Sequence, residues 1–396
     1  MHKNKIFECT LFLVLVYSLL ALFWPLHGFL SPIGVVVEII FAIVTIYFVN
    51  VSKKNRNLKT LVFLLLLYSL FLLMLTTPSV RTFIELVKSK YILYPYLCIV
   101  FSIIQYDEQS IITIKKISII SIVCYVFLIF YFKDYLIARY DHTYIENTIS
   151  FDEMVKDFCY TSGFLLLITP CLRKRYAFII FIIYALTTFV AMLLARRNII
   201  VTSCLFLIGA IVTHMSFYKN NGKYKFLIIG ILLLAGCVLW PELKAIFKGE
   251  STLEMFSMLN ARLMSDSRSD VLLEFRKSMS PLNWFFGKGF AAVYFSFELG
   301  ARTVIETGYL NIIFRVGIIS LVIYTLILIK SIRVTTPNII ILASKIYIII
   351  SMIETLYAGV PTFNIRWIII WVSVSYCFNP KIKSLSNQQI RQLLCA

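Results

Sequence analysis

Two adjacent arginines interrupt an otherwise apolar part of the chain and could bind an anionic ligand. Arg196 and Arg197 lie in FVAMLLARRNIIVTSCL (189–205), between two runs that are each long enough to enter a membrane. The guanidinium group is planar and permanently charged, and it binds phosphate through two parallel hydrogen bonds. If the pair faces away from the cytoplasm, it indicates a phosphate-bearing ligand. The alternative is two side chains that extend to the interface at a tight turn.

A second pair of arginines lies on a short amphipathic helix that the sequence predicts over residues 267–279, SRSDVLLEFRKSM. Its apolar residues recur at the spacing of one helical face: Val271, Leu272, Phe275 and Met279. Ser267 and Asp270 fit a capping box, which places Arg268 in the first turn, where free backbone N–H groups favour an anion. Arg276 follows two turns later. The next residues, PLNWFFGKGF, predict a turn whose aromatic side chains suit a membrane interface.

Another arginine lies inside an apolar run, IETGYLNIIFRVGII. The polar residues of this run follow one another at steps of four: Thr307, Asn311 and Arg315. Arg315 would lie roughly 10–13 Å below the membrane edge, where an unpaired charge costs at least about 2.5–3.5 kcal/mol. We therefore expect a carboxylate partner, Glu38 or Glu354, in a structural ion pair or in a polar cavity that opens outward.

These residues must be positioned by helices that cross a membrane. Hydrophobic residues make up 60% of the 396-residue chain and charged residues only 15%, whereas a soluble domain has roughly 45–50% apolar residues. Because a bilayer core needs about 20 helical residues, the apolar runs predict an all-α polytopic protein with about twelve spans. The spans are 6–24, 33–50, 60–77, 91–105, 114–132, 159–171, 177–195, 198–217, 226–241, 308–329, 339–357 and 366–378. The runs at 159–171 and 366–378 are short, which leaves open a longer helix with different ends or a re-entrant segment.

The distribution of charge predicts the orientation in the membrane. A net charge of +18 suits nucleic-acid binding in a soluble protein, but in a membrane protein an excess of Lys and Arg marks cytoplasmic loops. With both termini in the cytoplasm every inner segment is basic, so no nucleic-acid partner is expected. The outer connections are then short except for 133–158 and 242–307. The second has 66 residues with eight basic and eight acidic side chains, so it is not a general anion trap.

The chain therefore divides into four parts along its length. They are nine transmembrane helices in residues 1–241, a large outer loop with short helices in 242–307, three transmembrane helices in 308–378 and an inner tail in 379–396. The sequence shows no motif for a bound metal or nucleotide, because the nine cysteines include no CxxC pair and no phosphate-loop, GxGxxG or HExxH pattern is present. Neither a cofactor nor a metal is expected.

From about residue 190 to 330 the sequence resembles the Wzy-type polymerases of bacterial O-antigens and capsules and the related O-antigen ligases. The points of similarity are ARRN, the stretch from SRSDVLLEF to PLNWFFGKGF, and ETGYLNIIFRVG at the entry to the next helix. The separation of Arg276 from Gly287 also matches a spacing seen in outer loops of some polymerases. Ligases carry a histidine just before this helix, in the region where Glu306 stands here, so the resemblance to the polymerases is closer.

The resemblance implies a GT-C-like fold in the bacterial inner membrane and a glycosyl transfer at the periplasmic face. A glycan on undecaprenyl pyrophosphate would pass to a sugar hydroxyl of a lipid-linked repeat unit, and membrane lipid and a chain-length regulator are further implied partners. Arginines can stabilise the charge that develops on the pyrophosphate, and a carboxylate can accept the proton of the acceptor hydroxyl. The implied pyrophosphate- and glycan-binding residues are Arg196, Arg197, Arg268, Arg276, Arg315 and Tyr309. Glu306 is the implied catalytic base.

Three other interpretations stay open. An O-antigen ligase would transfer the glycan to lipid A core and differs only in its acceptor. A lipid-linked oligosaccharide flippase, or another transporter, also fits about twelve spans. The long outer loop, the lack of a recognisable duplicated half and the short connection at 172–176 nevertheless favour the enzyme. A protein with a purely scaffolding role is the third alternative.

The predicted orientation can be tested by labelling at position 268. In a background without the native cysteines, we expect Arg268→Cys to react with an impermeant maleimide added outside intact cells, because 242–307 is predicted to lie outside. Lys174→Cys, on the short inner connection, is the matched control and should react only after permeabilisation. Labelling of position 268 from the cytoplasmic side alone would contradict the orientation and every site assignment that depends on it.

Overall fold

The structure is a computed structural model of the chain. It describes residues 2–20, 56–76, 79, 94–133, 148–193, 197–218, 267–296, 300–302, 305, 307–357, 359–361 and 364–395. The described helices of the first half are α1 (His2–Leu20), α2 (Arg56–Thr76), α3 (Tyr94–Leu97), α4 (Glu108–Tyr131), α5 (Thr148–Leu167), α6 (Lys174–Leu193) and α7 (Arg197–Phe217). Two 3₁₀ helices, Cys98–Ile103 and Thr169–Cys171, follow α3 and α5.

The second half adds short elements and then three long helices. They are α8 (Ser267–Ser278), α9 (Pro281–Phe286), β1 (Tyr294–Ser296), β2 (Gly300–Arg302), α10 (Gly308–Arg333), α11 (Ile339–Tyr357), α12 (Ile365–Phe378), α13 (Pro380–Lys383) and α14 (Asn387–Cys395). The two strands form an antiparallel hairpin in which Tyr294 pairs with Arg302 and Ser296 with Gly300.

Six of the described helices are long and apolar enough to cross a membrane. The qualifying stretches are Leu58–Thr76, Glu108–Tyr131, Lys174–Ala191, Asn198–Phe217, Gly308–Arg333 and Ile339–Leu356. A chain with this many spanning helices, and with one short hairpin as the described strand structure, is a multi-pass, all-α membrane protein. The architecture that the sequence predicts is thus confirmed at this level.

The number of twelve spans is not confirmed. The predicted spans 33–50 and 226–241 lie outside the described residues. The described part of the predicted span 91–105 is the single turn α3 followed by the 3₁₀ helix, so it is not one continuous α-helix. Residues 366–378 do form a helix, α12, but its 14 residues are fewer than the roughly 20 that a bilayer core requires.

Helix α5 already begins at Thr148, within the segment 133–158 that the sequence predicts as an outer connection. The short apolar run at 159–171 is the second half of that longer helix. Met154, Val155 and Phe158 are buried, so the apolar face continues upstream. The charged residues interspersed among them lower the local hydropathy and conceal this face in a simple reading of the sequence.

Chain contacts divide the protein into two compact units. Unit one comprises Met1–Ile117 and Arg268–Ser386, and unit two comprises Ser118–Ser267 and Asn387–Ala396. In unit two, α5, α6 and α7 pack against one another. Gly163 of α5 faces the ring of Phe206, and a Cβ at Gly163 would lie 2.7 Å from that ring, so a small residue permits the close approach.

The predicted inner tail is folded in the structure. Its last helix, α14, belongs to unit two and buries Ile390 and Leu394. The Arg173 side chain donates a hydrogen bond of 2.7 Å to the carbonyl of Cys395 at the end of this helix. A basic group near the last carbonyls of a helix stabilises its C-terminus.

The centre of unit one is α12, in which every side chain from Ile365 to Cys377 is buried. Its polar side chains bond to the irregular segment 94–106. The indole of Trp367 donates to the carbonyl of Pro95 at 2.8 Å, and the hydroxyl of Ser375 donates to that of Ile104 at 2.5 Å. The α12 side chains thus satisfy carbonyls that a regular helix would satisfy internally, which allows segment 94–106 to remain irregular.

Helix α10 is broken at Gly317, whose φ of 76° and ψ of 172° lie outside the helical region. The break removes intrahelical partners from nearby carbonyls. The backbone N–H of Lys288 donates to the Phe314 carbonyl at 2.8 Å, and that of Gly289 donates to the Arg315 carbonyl at 3.0 Å. The segment after α9 therefore supplies the hydrogen bonds that the broken helix has lost.

Two glycines make this contact possible. A Cβ at Gly317 would collide with the carbonyl oxygen of Phe285, and a Cβ at Gly287 would lie 2.5 Å from that of Arg315. Gly287 also has a positive φ, of 81°. Only glycine adopts such a conformation at little cost while two backbones approach this closely.

Replacement of Gly317 by alanine should destabilise the protein through strain and collision together. The positive φ alone costs about 1–3 kcal/mol, and the collision with Phe285 adds to this. Gly300→Ala is the matched control, since Gly300 also has a positive φ, of 69°, but a Cβ there meets no atom within 4 Å. We expect a larger drop in the thermal unfolding midpoint for Gly317→Ala, measured in one detergent by tryptophan fluorescence. Equal midpoints for the two variants would contradict the proposed packing.

Candidate functional site

We call residues 267–302 the docked loop, and its described residues pack on the first half of α10 around a small aromatic core. Phe275 of α8 contacts three other rings edge-on, with centroid distances of 5.7 Å to Trp284, 6.2 Å to Tyr294 and 5.8 Å to Phe314. Met279 of α8 joins the same core, whose members are almost fully buried. Edge-to-face pairs add stability beyond the area that they bury. The docked loop is thus attached to α10 by its own core.

Helix α9 has a defined start and a defined end. The Ser280 hydroxyl caps it by accepting the N–H of Asn283 at 3.2 Å, and Pro281 occupies the first turn, where the missing N–H is not needed. At the other end the N–H of Gly287 donates to the Asn283 carbonyl at 2.8 Å. The turn that follows is the one that contacts the break in α10.

The docked loop also contacts α2, one of the helices long and apolar enough to cross a membrane. The Tyr68 hydroxyl of α2 donates to the carbonyl of Phe286 at 2.8 Å, and the hydroxyl of Thr76 accepts from the N–H of Phe290 at 3.3 Å. Tyr68 precedes Thr76, the last residue of α2, by roughly 12 Å of helix. Leu282 and Phe285 are 69% and 55% exposed, as suits side chains that face lipid. This segment therefore lies along the last two turns of α2 as well as against α10.

Arg315 fixes the docked loop from within α10. Its side chain is 0% exposed, and it donates to the carbonyl of Phe290 and, at 3.3 Å, to that of Ala292. The guanidinium also lies 5.4 Å from the centre of the Phe314 ring. Hydrogen bonds from a charged donor are stronger than neutral ones, especially where water is excluded. Arg315 thus stabilises the loop through main-chain carbonyls, which are partners that the sequence analysis did not predict.

Glu354, one of the two predicted carboxylate partners, forms an ion pair with Arg366. The distance from Arg366 Nη1 to Glu354 Oε1 is 3.4 Å, and the two residues are 1% and 3% exposed. Arg366 also donates to the carbonyl of Val360 at 3.4 Å, which ties the pair to the turn between α11 and α12. The other predicted partner, Glu38, lies outside the described residues.

Arg366 is not among the residues that the sequence predicts for the site, although its position carries a signal. This residue opens the predicted span 366–378, and a charge within or at the edge of a span marks a functional or paired group. Asn364 caps the helix by accepting the N–H of Trp367 at 3.0 Å. Helix α12 therefore starts before Arg366, and the charged side chain of Arg366 is buried. The cap at Asn364 was the sequence feature that could have placed Arg366 inside the helix.

The start of α10 is held against α11 and the turn that follows it. Gly308 lies so close to the Gly359 carbonyl that a Cβ would collide with it. The Tyr309 hydroxyl donates to the carbonyl of Met352 at 3.3 Å. Asn311 Oδ1 accepts the N–H of Ile305 at 3.2 Å, and the Asn311 N–H donates to the Thr307 carbonyl at 2.9 Å. Asn311 therefore fixes the residues on both sides of position 306.

The structure describes some of the remaining predicted site residues completely, others only by their backbone, and some not at all. Arg197 is the first residue of α7 and Arg268 lies in the first turn of α8, but the side chains of both are outside the described set. Arg276 lies in the last turn of α8, and its side chain is exposed. Arg196 and Glu306 lie outside the described residues. Within the part of the chain that the structure describes, no group of three or more His, Cys, Asp or Glu residues could hold a metal ion.

Comparison with known proteins gave no match: no family model, no curated protein and no solved structure corresponds to this chain. The site is therefore defined by its own geometry. It consists of the docked loop with the exposed Arg276, the buried Arg315 beneath it, and the start of α10 next to the Glu354–Arg366 pair.

Loss of the Arg315 side chain should release the docked loop. In Arg315→Met both carbonyl bonds are removed, so we expect trypsin to cleave after Lys288 on the order of tenfold faster. Arg333→Met, at the exposed end of the same helix, is the matched control and should cleave like the wild type. Cleavage after the exposed Lys174, which lies outside the docked loop, serves as the internal reference. An unchanged rate at Lys288 in Arg315→Met would show that Arg315 does not hold the loop.

Proposed function

We propose that the protein is a polysaccharide polymerase of the Wzy type in a bacterial inner membrane, with both termini in the cytoplasm. It joins undecaprenyl-pyrophosphate-linked repeat units into O-antigen or capsular polysaccharide at the periplasmic face. A chain-length regulator is a proposed protein partner. The proposal combines the resemblance of residues 190–330 with a multi-pass membrane architecture.

The observation that carries the proposal is the docking of the loop on α10. The stretch SRSDVLLEF to PLNWFFGKGF, on which the resemblance rests, forms a folded element around Phe275 and lies against the helix that follows. Arg276 is exposed on this element. Arg268 lies eight residues earlier on the same helix, so their Cα atoms are about 12 Å apart along its axis. An exposed guanidinium can bind a phosphate group through paired hydrogen bonds.

The proposed reaction is a substitution at the anomeric carbon of the growing glycan. The acceptor hydroxyl of a lipid-linked repeat unit forms the new glycosidic bond, and the bond from the anomeric carbon to the pyrophosphate oxygen breaks. Glu306 accepts the proton of the acceptor hydroxyl. The undecaprenyl pyrophosphate leaves with the bonding electrons, and its charge is stabilised by guanidinium groups. The proposed pyrophosphate-binding residues are Arg196, Arg197, Arg268 and Arg276.

The buried residues of the site have positioning roles in this proposal. Arg315 holds the docked loop, and Asn311 fixes the backbone on both sides of position 306. Tyr309, half-buried beside this backbone, is the proposed contact to the glycan. Positioning of a base and an electrophile contributes strongly to rate, because the reacting groups are already oriented.

The helix break at Gly317 favours a second candidate, a transporter. Transporters bind their substrates near the middle of the membrane at discontinuous helices, and α10 is discontinuous. Deletion of the gene in the native host separates the alternatives. Loss of a polymerase leaves single repeat units on the acceptor, and loss of a ligase leaves free lipid-linked polymer. Loss of a flippase leaves lipid-linked repeat units on the cytoplasmic side. A normal long-chain pattern after deletion would contradict all three.

The polymerase site is tested by polymerisation in vitro with the purified full-length protein and lipid-linked repeat unit from the native host. We expect Arg276→Ala, Arg268→Ala and Arg197→Ala each to lower the rate by about 10²–10³-fold, because each removes a group that stabilises the leaving charge. Glu306→Gln should lower kcat with little change in KM. Arg333→Ala is the matched control and should retain activity. Undiminished activity in all four site variants would refute the assigned site.

A further inference from the structure

Four exposed basic side chains, which we call the basic patch, lie at one end of unit two. Arg173, Lys174 and Arg175 are consecutive in the chain, and the side chains of all three are exposed. Arg391 of α14 is the fourth member, and its side chain is exposed as well. Residues 173–175 and α14 belong to the same compact unit, so their juxtaposition is a property of that unit.

Two contacts place α14 beside the start of α6. The Arg173 guanidinium donates to the Cys395 carbonyl at 2.7 Å, and the Cys395 thiol donates to the Cys171 carbonyl at 3.4 Å. Arg391 precedes Cys395 by four residues, so the two lie on one side of α14, about 6 Å apart along its axis. Arg391 is therefore about one helical turn from the Arg173 contact, although the two arginines are far apart in the sequence.

The elements that form the basic patch contain no carboxylate. The sequence has no Asp or Glu between Asp157 and Glu242, and none after Glu354. The four positive charges are thus not offset by side chains of their own elements. Like charges at this separation repel one another, and a bound anion removes the repulsion. The basic patch is therefore suited to an anionic ligand.

An apolar surface on α6 adjoins the basic patch. The stretch Lys174–Ala191 is long and apolar enough to cross a membrane. Arg175, Phe178, Ile182 and Phe189 follow one another at helical spacing, so they share one face of α6. The three apolar side chains are 67%, 52% and 51% exposed, as suits residues that face lipid. Positive charge and a lipid-facing surface thus follow one another along the helix, in the order of the headgroup and the chains of a membrane lipid.

We propose that the basic patch binds the phosphate of an anionic glycerophospholipid whose acyl chains lie along this face of α6. Clusters of basic residues next to a spanning helix attract anionic lipids, and arginine binds phosphate through paired hydrogen bonds. The guanidinium of Arg173 has five N–H groups, so its bond to Cys395 leaves others for the phosphate. The cation of a zwitterionic headgroup is repelled by the patch, so the lipid has a net negative charge. The proposal does not depend on the polymerase activity.

Binding of defined lipids to the delipidated full-length protein, measured by native mass spectrometry, tests the proposal. We expect phosphatidylglycerol to bind about tenfold more tightly than phosphatidylcholine, because only the first has a net charge. Glycerol 3-phosphate, which has the phosphate without acyl chains, should bind about tenfold more weakly than phosphatidylglycerol, because it cannot cover the apolar face. Equal affinities for the two lipids would overturn the proposal. Equal affinities for phosphatidylglycerol and glycerol 3-phosphate would identify a soluble phosphate as the ligand and would also overturn it.

Variants of exposed residues locate the bound lipid. Lys174→Gln with Arg175→Gln should weaken the binding of phosphatidylglycerol about 25-fold, which is about fivefold for each charge removed. Arg391→Gln should weaken it about fivefold, because α14 brings this charge to the patch. Lys330→Gln with Arg333→Gln, at the exposed end of α10, removes two charges elsewhere and is the matched control, with unchanged affinity expected.

A charge-preserving variant separates loss of charge from loss of fold. Lys174→Arg with Arg175→Lys keeps both positive charges, so it should bind phosphatidylglycerol like the wild type. Equal losses of affinity in the patch variants and in the α10 control would mean diffuse attraction of anionic lipid to the whole protein and would overturn the proposal. Unchanged affinity in the patch variants would overturn it as well.

Discussion

Within the hydrocarbon of a membrane every backbone N–H and C=O must find its partner inside the protein, and the arrangement of unit one follows from this constraint. The break at Gly317 deprives carbonyls of α10 of their helical partners, and the turn after α9 supplies N–H groups at 2.8 and 3.0 Å in their place. Arg315 then bonds to carbonyls further along the same turn. The loop therefore donates hydrogen bonds to carbonyls of the broken helix, and Arg315 of that helix donates hydrogen bonds to carbonyls of the loop. The proposed site lies where it does because this exchange fixes the loop there.

The same constraint explains why α12 is buried on all sides. The segment 94–106 is not one continuous α-helix, and Trp367 and Ser375 donate to two of its carbonyls. The Glu354–Arg366 pair lies at one end of this helix and is itself almost fully buried. A buried ion pair contributes little net stability, but removal of one partner leaves a costly unpaired charge. The pair thus specifies which ends of α11 and α12 come together.

The sequence predicted those features that depend on composition and local spacing. Apolar run length predicted helices close to α2, α4, α6, α7, α10 and α11, and the spacing of Phe275 and Met279 predicted the amphipathic α8. Asn311 and Arg315, which the sequence places on one polar stripe, are both buried. The partners of Arg315 could not be predicted, because main-chain carbonyls carry no residue-type signal. The break at Gly317 was equally hidden, since its cause is the loop that packs there, and a glycine in an apolar helix does not by itself predict a break.

The reciprocal bonding between loop and helix also bears on how the protein is assembled. The docked loop emerges from the ribosome before α10 does, yet its turn has no binding surface until Phe314 and Arg315 have followed. Conversely, the break at Gly317 leaves carbonyls of α10 without hydrogen-bond partners unless the turn after α9 is beside it. Docking of the loop and the break in α10 are therefore coupled, because each supplies hydrogen-bond partners that the other lacks.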